Sequence, residues 1–387
     1  MAGAFFVNSP KSVNFVYMKK YCFLLTLILL VSSCTAKASQ IDEEQPEKST
    51  ITLLFAGDLM QHGVQFKAAQ QPDGSYDYEE CFRYITDEIR SADVAIANFE
   101  TTVAGGTPTT YPQFNSPDEW LYAANRAGFD ILLTANNHSV DKRAIGITRT
   151  IQKMDEIGVP HIGTYANWAE REKEYPYILE KNGFRIALLC YTYGTNGIRV
   201  PEPCVVNLID TVQIKKDIQK ARSKNPDCII ACMHWGIEHA LTPNQEQTRL
   251  ADFLIREGVD HVIGGHPHVI QPIEIRDGKH VVAYSLGNYI SNMSHPNNDG
   301  GMMVKITLEK NDSITKLANA GYSLTWVSRP AVSHHKNYRI YPVSVPMSFL
   351  NAAEQQLFNK TVNKEREIFQ KYNKNIKEYS IKWNSHE

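Results

Sequence analysis

The sequence lacks the features that define several large classes of protein. Its 40 Lys and Arg residues are balanced by 42 Asp and Glu residues, and no basic run stands out, so nucleic acid is not an expected partner. No Walker loop, Gly-x-Ser-x-Gly elbow or His-Glu-x-x-His helix is present. These absences speak against a P-loop nucleotidase, a serine hydrolase of the elbow type and a zincin protease.

The cysteines also lack the spacing of a disulfide framework or of a zinc site. It has 7 cysteines in 387 residues, and two of them, Cys22 and Cys34, lie in the N-terminal segment. The others are odd in number and irregularly spaced, which is not a disulfide framework. Cys228 and Cys232 frame an apolar run, where small buried thiols are expected. A thiolate zinc site would need further soft ligands at the usual spacing, and none is evident.

The N-terminal segment is typical of a secretory signal. Met18 is followed by two lysines and by an apolar run over residues 21–31, which is too short to span a bilayer. Residues 31–34 resemble a lipobox whose cysteine, Cys34, becomes lipidated, although Val31 stands where Leu is usual. We therefore predict a signal peptide over 1–34, with translation starting at Met1 or Met18. The alternative is an ordinary cleaved signal with an incidental cysteine.

The next segment, residues 35–49, is polar and contains Asp42, Glu43 and Glu44. This composition predicts a flexible tether. Acidic residues shortly after a lipidated cysteine resemble surface-export signals of some Gram-negative lipoproteins. The expected location is therefore a bacterial cell envelope, at the outer membrane or cell surface, with a lipid anchor holding the chain to the membrane.

Apolar strands followed at once by short polar motifs recur from residue 51 onward. Because helical patterns follow several of them, the order predicts βαβ units and a largely parallel core sheet. Ligands bind beyond the carboxyl ends of the strands in such sheets. We therefore expect one edge of the sheet to carry six residues: Asp58, Glu100, Asn137, His234, His266 and His268.

These six side chains form a mixed nitrogen and oxygen set, which suits Mn, Fe or Zn as divalent ions. Six ligands exceed what one tetrahedral ion needs and fit two ions about 3.5–4 Å apart that share a carboxylate. The predicted cofactor is therefore one or two divalent ions. His138, next to Asn137, is then left as a general acid or base and is the predicted catalytic residue.

The motifs at the strand ends resemble the capsule biosynthesis protein CapA family, which is associated with poly-gamma-glutamate capsule formation. The resemblance covers about residues 50–310. It implies an α/β fold, namely a metallophosphoesterase-like sandwich of two mixed β-sheets flanked by helices. It is carried by six motifs in order: Gly57-Asp58-Leu59-Met60, Asn98-Phe99-Glu100, Asn136-Asn137-His138, His234-Trp235-Gly236-Ile237-Glu238, Gly265-His266-Pro267-His268 and Ser285-Leu286-Gly287-Asn288.

The resemblance implies a role for each matching residue. Glu100 stands where the wider phosphoesterase pattern has a bridging Asp, and His266 and His268 match a pair with one ligand for each metal. Met60 stands where the pattern has a histidine ligand, and a thioether is a poor ligand for Mn or Zn. Three outcomes follow: one metal only, a weak second metal, or replacement of the missing imidazole by His62.

Three further residues are predicted to contact substrate: Glu238, His239 and Asn288. Glu238 matches the family pattern, whereas His239 stands where Tyr is expected. Their alternative role is hydrogen bonding to the metal ligands. Asn288 could equally form a turn.

Two functions remain open on the sequence. The first is a metal-dependent hydrolase acting on a phosphoester or an envelope-polymer amide, with His138 protonating the leaving group. The second is a non-catalytic accessory or binding component of polymer synthesis or export, with a degenerate metal site. Either function is expected to reside in a domain over 50–310, with a C-terminal extension of strands and helix over 311–387 packed on it. The sequence does not predict the oligomeric state.

Overall fold

The structure is a computed structural model that describes residues 49–312 and 314–383. The predicted signal peptide, Cys34 and nearly all of the predicted tether lie outside the described residues. The described residues belong to one unit, Lys48–Glu387. Among them, no helix combines the length and the apolar character needed to cross a membrane.

The strands of the described residues run as follows: β1 Ser49–Leu59, β2 Val94–Phe99, β3 Ile131–Leu133, β4 His161–Ile162, β5 Thr164–Tyr165, β6 Tyr177–Lys181, β7 Phe184–Thr192, β8 Val205–Val206, β9 Cys228–His234, β10 His261–Gly265, β11 Ile273–Arg276, β12 His280–Ala283, β13 Asn288–Ile290, β14 Gly300–Asn311, β15 Ile314–Ser328, β16 Arg339–Pro342 and β17 Lys377–Glu378.

The helices are α1 Gly63–Ala69, α2 Glu79–Phe82, α3 Thr86–Arg90, α4 Asp118–Ala127, α5 Arg143–Glu156, α6 Trp168–Glu174, α7 Thr211–Ser223, α8 Gln245–Glu257, α9 Pro330–Ser333 and α10 Ala352–Tyr372. Local sequence explains several of their ends. Asn244 forms a capping box with Gln247 at the start of α8, and Gly258, at φ 99°, closes that helix.

Two large mixed sheets form the core of the described chain. The first has the order β16-β15-β14-β1-β2-β3-β4, with β13 added on β1 and β17 on β15, and the second has the order β11-β12-β10-β9-β7-β6. In the first, β1 pairs parallel with β2 and antiparallel with β14. The predicted α/β class with two mixed sheets flanked by helices is confirmed.

The alternating side chains of β1 show why its apolar run is nearly continuous. Leu53 and Phe55 pack in one cluster with Leu188 and Ile230 of the second sheet. Leu54 and Ala56 belong to another cluster, together with Trp120 and other side chains from the flanking helices. Because the sheet is covered on both faces, every residue of β1 from Leu53 to Leu59 is buried, which is typical of an interior strand.

The segment between β12 and β13 joins the two sheets at the carboxyl ends of β1 and β10. The Asp58 backbone N–H donates to Gly287 O at 3.0 Å, and the Leu286 N–H donates to Gly264 O at 3.0 Å. A Cβ on Gly57 would lie 2.1 Å from Gly287 O, and one on Gly264 would lie 2.1 Å from Tyr284 O. The close approach of the sheets therefore requires glycine at both positions.

The C-terminal part of the chain is continuous with the first sheet. β14 and β15 pair antiparallel along their length, from Gly300 with Trp326 to Asn311 with Ile314. The Phe369 ring of α10 packs edge-on against Tyr322 of β15 at 4.7 Å between ring centroids. Residues on both sides of 310 thus contribute to one sheet. The domain boundaries proposed from the sequence stay predictions.

A buried histidine outside the strand-end motifs makes the stability of the fold depend on pH. His261 opens β10, is 2% exposed, and accepts the Val281 N–H at Nδ1 at 3.1 Å. Burial lowers the pKa of His261 from 6.5 to about 3. The unfolded chain therefore binds a proton that the folded chain does not, and stability present above pH 6.5 falls as the pH drops toward 3.

We expect His261→Gln, which keeps a hydrogen-bond acceptor, to reduce the loss of unfolding free energy between pH 6.5 and pH 4. Urea denaturation at a series of pH values measures this slope. The control is His334→Asn, which alters an exposed histidine at φ 61°, a conformation that Asn tolerates. Identical slopes for wild type and His261→Gln would contradict this interpretation.

Candidate metal centre

Two buried carboxylates stand at the carboxyl ends of neighbouring strands. Asp58 lies at the end of β1 and Glu100 directly follows β2, and both are 0% exposed. Between them, Asn98 Nδ2 donates to Asp58 Oδ1 at 2.8 Å and to Glu100 Oε2 at 3.1 Å. Asn136 Nδ2 donates to Asn98 Oδ1 at 3.1 Å, which fixes the orientation of the central amide.

The second sheet brings imidazoles to the same place. His234 ends β9, and its Nε2 lies 3.0 Å from Asn137 Oδ1 and 3.6 Å from Glu100 Oε1. His268 lies in the turn after β10, with Nδ1 3.2 Å from Asp58 Oδ2 and Nε2 3.7 Å from Glu100 Oε1. The His266 ring is 4.9 Å from that of His234. The structure therefore brings all six predicted ligands together.

The loop that carries His266 and His268 has an unusual backbone. The two residues have φ of 96° and 57°, values that cost about 1–3 kcal/mol for a residue other than glycine. Neighbouring segments hold the loop: His239 N–H donates to Pro267 O at 2.8 Å, and the side-chain amide of Asn298 donates to His268 O. Such strain is retained at functional sites when the surroundings fix it.

The protonation states follow from burial and crowding. Burial, and next the neighbouring Asp58 charge, raises the pKa of Glu100 well above its usual range. Burial, followed by repulsion from His266 and His268, lowers the pKa of His234 well below its usual range. Burial lowers the pKa of His266 to about 3. The imidazoles of His234 and His266 are thus neutral at pH 7, which is the form that binds metals.

The donor set fits divalent ions. Among the described residues, the ligand atoms form two groups within 4.8 Å, namely Asp58 with Glu100 and His234, and Glu238 with His266 and His268. Three buried atoms of these groups have no hydrogen-bond partner: Asp58 Oδ2, Glu100 Oε1 and His266 Nδ1. Leaving such atoms unpaired is costly, and carboxylate and imidazole donors suit Mn, Fe or Zn. Glu238 thus joins a ligand group as well as being a predicted substrate contact.

Neither Met60 nor His62 belongs to these groups. Met60 is buried, and its backbone N–H donates to Ile290 O at 3.0 Å. His62 precedes α1 and packs edge-on against Phe114 at 5.1 Å between ring centroids. The Nδ1 atom of His62 accepts the Asn292 N–H at 3.2 Å, so this nitrogen is already used within the protein.

His138 is held by a carboxylate at the edge of the ligand cluster. Its Nδ1 lies 2.7 Å from Asp141 Oδ2, and the same oxygen accepts the Phe114 N–H at 2.6 Å. The Phe114 ring packs edge-on against His138 at 4.6 Å between ring centroids. Because Nδ1–H donates to the carboxylate, Nε2 remains to exchange a proton with a bound molecule.

The other two predicted substrate contacts adjoin the cluster, with His239 partly exposed and Asn288 buried. His239 stacks on His295 with 4.0 Å between ring centroids, and its Nε2 lies 3.9 Å from Glu238 Oε2. Asn288 is buried on β13, with Oδ1 3.1 Å from His268 Nδ1. Asn288 therefore contacts a predicted ligand in this structure.

Comparison with known families shows to which family the chain belongs. The model of the bacterial capsule synthesis protein PGA_cap family matches residues 52–293. The chain belongs to this family. The six predicted ligands, His138 and Glu238 all lie within the PGA_cap match, whereas Asn298 lies beyond it. The resemblance to the CapA family expected from the motifs is thereby confirmed.

Named relatives of this PGA_cap chain carry capsule-related names. The capsule biosynthesis protein CapA of Bacillus anthracis is 28% identical over 322 residues, covering 79% of this chain and 76% of the relative. The PGA biosynthesis protein CapA of Bacillus subtilis is 26% identical over 268 residues, covering 66% and 67%. A probable polyglutamine synthesis accessory protein of Mycobacterium tuberculosis is 27% identical over 222 residues, covering 52% and 57%.

Solved structures to which this chain is similar include the calcineurin-like phosphoesterase YfkN from Bacillus subtilis. It has 14% identity and a TM-score of 0.43, and the alignment covers 83% of this chain and 97% of that one. A phosphatase from Mycoplasma pneumoniae has 14% identity and a TM-score of 0.42, with coverage of 71% and 93%. Membership of the PGA_cap family rests on the sequence match.

Sequence reasoning missed three contributors to this PGA_cap site. Asp141 comes three residues after His138 of the Asn-Asn-His motif. That spacing within a turn was the sequence feature that could have indicated their contact. Asn98 was part of a recognised motif, yet its place between the carboxylates depends on the register of β1 with β2. Tyr193 follows β7, and its ring lies 4.5 Å from that of His266. No polar motif like those of the other strand ends marked it.

Metal content of the purified full chain tests the two ligand groups. We expect Glu100→Gln and His266→Ala each to lower the bound Mn or Zn. The first removes the negative charge of a buried carboxylate, the second removes a buried imidazole, and both wild-type side chains carry an atom without a hydrogen-bond partner. Plasma mass spectrometry after gel filtration measures the stoichiometry. His62→Ala is the matched control and is expected to leave the metal content unchanged. Loss of metal in His62→Ala, with retention in Glu100→Gln, would reverse the assignment.

Proposed function

We propose that this chain is an exported, lipid-anchored, metal-dependent hydrolase that cleaves a phosphoester or an amide of an envelope polymer during capsule synthesis. The observation that carries the proposal is the His138–Asp141 pair, at 2.7 Å, beside a buried cluster of carboxylates and imidazoles. Membership of the PGA_cap family and the capsule-related names of its relatives support the role in capsule polymer synthesis.

Each residue of the site has a task in the proposed reaction. Divalent ions, when bound by the two ligand groups, would supply Lewis-acid stabilisation of negative charge on the reacting group. Water supplies the attacking oxygen, and the bond from phosphorus or the carbonyl carbon to the leaving group breaks. His138, protonated on both ring nitrogens, donates its Nε2 proton to the departing oxygen or nitrogen, and the proton that the water loses passes to solvent. Asp141 keeps the imidazole in the Nδ1–H tautomer and stabilises its protonated form. The Phe114 N–H holds the Asp141 carboxylate in position.

Two observations favour a second candidate function, a non-catalytic accessory role in polymer synthesis or export. Met60 stands where the wider pattern has a metal-binding histidine. The Asn98 amide also lies within hydrogen-bond reach of both carboxylates and at 3.4 Å from His234 Nδ1, so this group is stabilised in part without an ion. A protein of this kind would use the cluster to bind polymer or to hold its fold.

Rates of general-acid variants distinguish the two functions. With the full chain loaded with Mn or Zn, we expect His138→Ala to slow hydrolysis of an alkyl phosphodiester or a gamma-glutamyl amide by about 10²–10⁴-fold. A nitrophenyl ester should be affected less, because its leaving group needs no proton. Asp141→Asn should also be slower, since the tautomer is no longer fixed.

Metal content measured in parallel is expected to be unchanged in both variants and serves as the control. Rates unaffected by His138→Ala at full metal content, on both kinds of leaving group, would reject the hydrolase and leave the accessory role.

The proposed anchor is tested by labelling. In a bacterium that expresses the full chain, palmitate label is expected in the wild type and absent in Cys34→Ala, because the lipid is attached to that thiol. Cys22→Ala, which changes the cysteine inside the apolar run, is the matched control and should keep the label. Label that survives Cys34→Ala would contradict the lipoprotein assignment.

A further inference from the structure

The loop after β7 contacts the predicted metal ligands but has no task in the proposed reaction. β7 ends at Thr192, which pairs with His234 of β9. The Tyr193 N–H then donates to His234 O at 2.9 Å. This backbone contact brings the loop beside the predicted ligands at the carboxyl ends of the strands. We call residues 193–198 the β7 loop.

The Tyr193 ring of the β7 loop packs on two predicted ligands. It stacks on the His234 ring, with 6.4 Å between ring centroids and 10° between the planes. It also lies 4.5 Å from the His266 ring. Because Tyr193 is 47% exposed, it covers these imidazoles at the border with solvent. Aromatic contacts of this kind favour one orientation of each imidazole.

Asn137 needs a fixed amide orientation to act as a metal ligand. An amide side chain can turn either its oxygen or its nitrogen toward a neighbour, and only the oxygen offers lone pairs to an ion. In the structure, Asn137 Oδ1 lies 3.0 Å from His234 Nε2. An ion bound by both of these atoms would replace that contact. The orientation of the amide then depends on the partners of Nδ2.

Asn196 of the β7 loop accepts from that nitrogen. Asn137 Nδ2 donates to Asn196 Oδ1 at 3.3 Å, and the Tyr193 hydroxyl donates to the same oxygen at 3.4 Å. Burial raises the pKa of Tyr193, so the hydroxyl keeps its proton at pH 7. Asn196 has φ of 51°, which Asn adopts more readily than most residues. The backbone of the β7 loop thus holds an acceptor beside Asn137.

We propose that the β7 loop positions the metal ligands. Asn196 keeps the Asn137 amide with its oxygen toward the ion, and the Tyr193 ring holds the imidazoles of His234 and His266. Asn196 and Tyr193 are positioning residues, because they act through the ligands and bind no ion themselves. This inference deepens the proposed metal-dependent function, on which it rests for the presence of the ion. It gives a role to a strand end that carries none of the polar motifs.

The affinity of the purified full chain for zinc and manganese, measured by competition with a chelator, tests the β7 loop without turnover. We expect Asn196→Gly to weaken metal binding about tenfold, because it removes the acceptor and still adopts the φ of 51°. Asn196→Asp keeps an acceptor oxygen and should bind metal at least as tightly as the wild type. Tyr193→Ala should weaken binding by a similar factor, and Tyr193→Phe, which keeps the ring, should weaken it less.

The matched control is Asn225→Gly, which alters another exposed asparagine at φ 51° and should bind metal like the wild type. Wild-type affinity in Asn196→Gly, an equal loss in Asn225→Gly, or an Asn196→Asp variant as weak as Asn196→Gly would each overturn the inference. A wild type that binds neither metal would overturn both the inference and the proposed function. The predicted pattern of affinities in a protein that hydrolyses nothing would keep the β7 loop assignment and reject only the hydrolase.

Discussion

The site depends on the approach of two sheets at the ends of their parallel strands. Two backbone hydrogen bonds, from Asp58 to Gly287 and from Leu286 to Gly264, join the sheets through the segment before β13. They form only because glycine stands where any Cβ would meet a carbonyl oxygen. With that approach fixed, the residue that ends each strand must face the same small volume. The carboxylates of one sheet and the imidazoles of the other are thus neighbours as a consequence of the core packing.

This arrangement is electrostatically unfavourable by itself. Burial and the nearby Asp58 charge disfavour ionisation of Glu100, and burial keeps the imidazoles of His234 and His266 neutral. The Asn98 amide relieves part of the repulsion by donating to both carboxylates. Buried ligand atoms nevertheless remain unpaired, and the loop with His266 stays in a strained conformation. A structure that tolerates such local costs in a well-packed core is typical of a site arranged for a ligand.

The sequence predicts the parts of this site that are encoded locally. An apolar run that ends in Asp58 or His234 marks a strand end within a few residues, and the parallel-sheet rule then brings such ends together. Contacts that depend on strand register, or on two loops that come together only in the folded chain, cannot be predicted from local sequence. The place of Asn98 follows from the pairing of β1 with β2, and Asp141 reaches His138 through the shape of one turn. Phe114, in the loop before α4, meets His138 after β3, although no local sequence pattern connects these two loops.

The support of the His268 loop by Asn298 couples the site to the C-terminal strands β14 and β15. Asn298 donates to His268 O and accepts from Asn288, and the next residue, Asp299, is paired with Arg329 at the end of β15. The position of a predicted metal ligand therefore depends on a residue beyond the PGA_cap match. Substitutions around Asn298 can alter the geometry of the centre while every ligating residue stays the same.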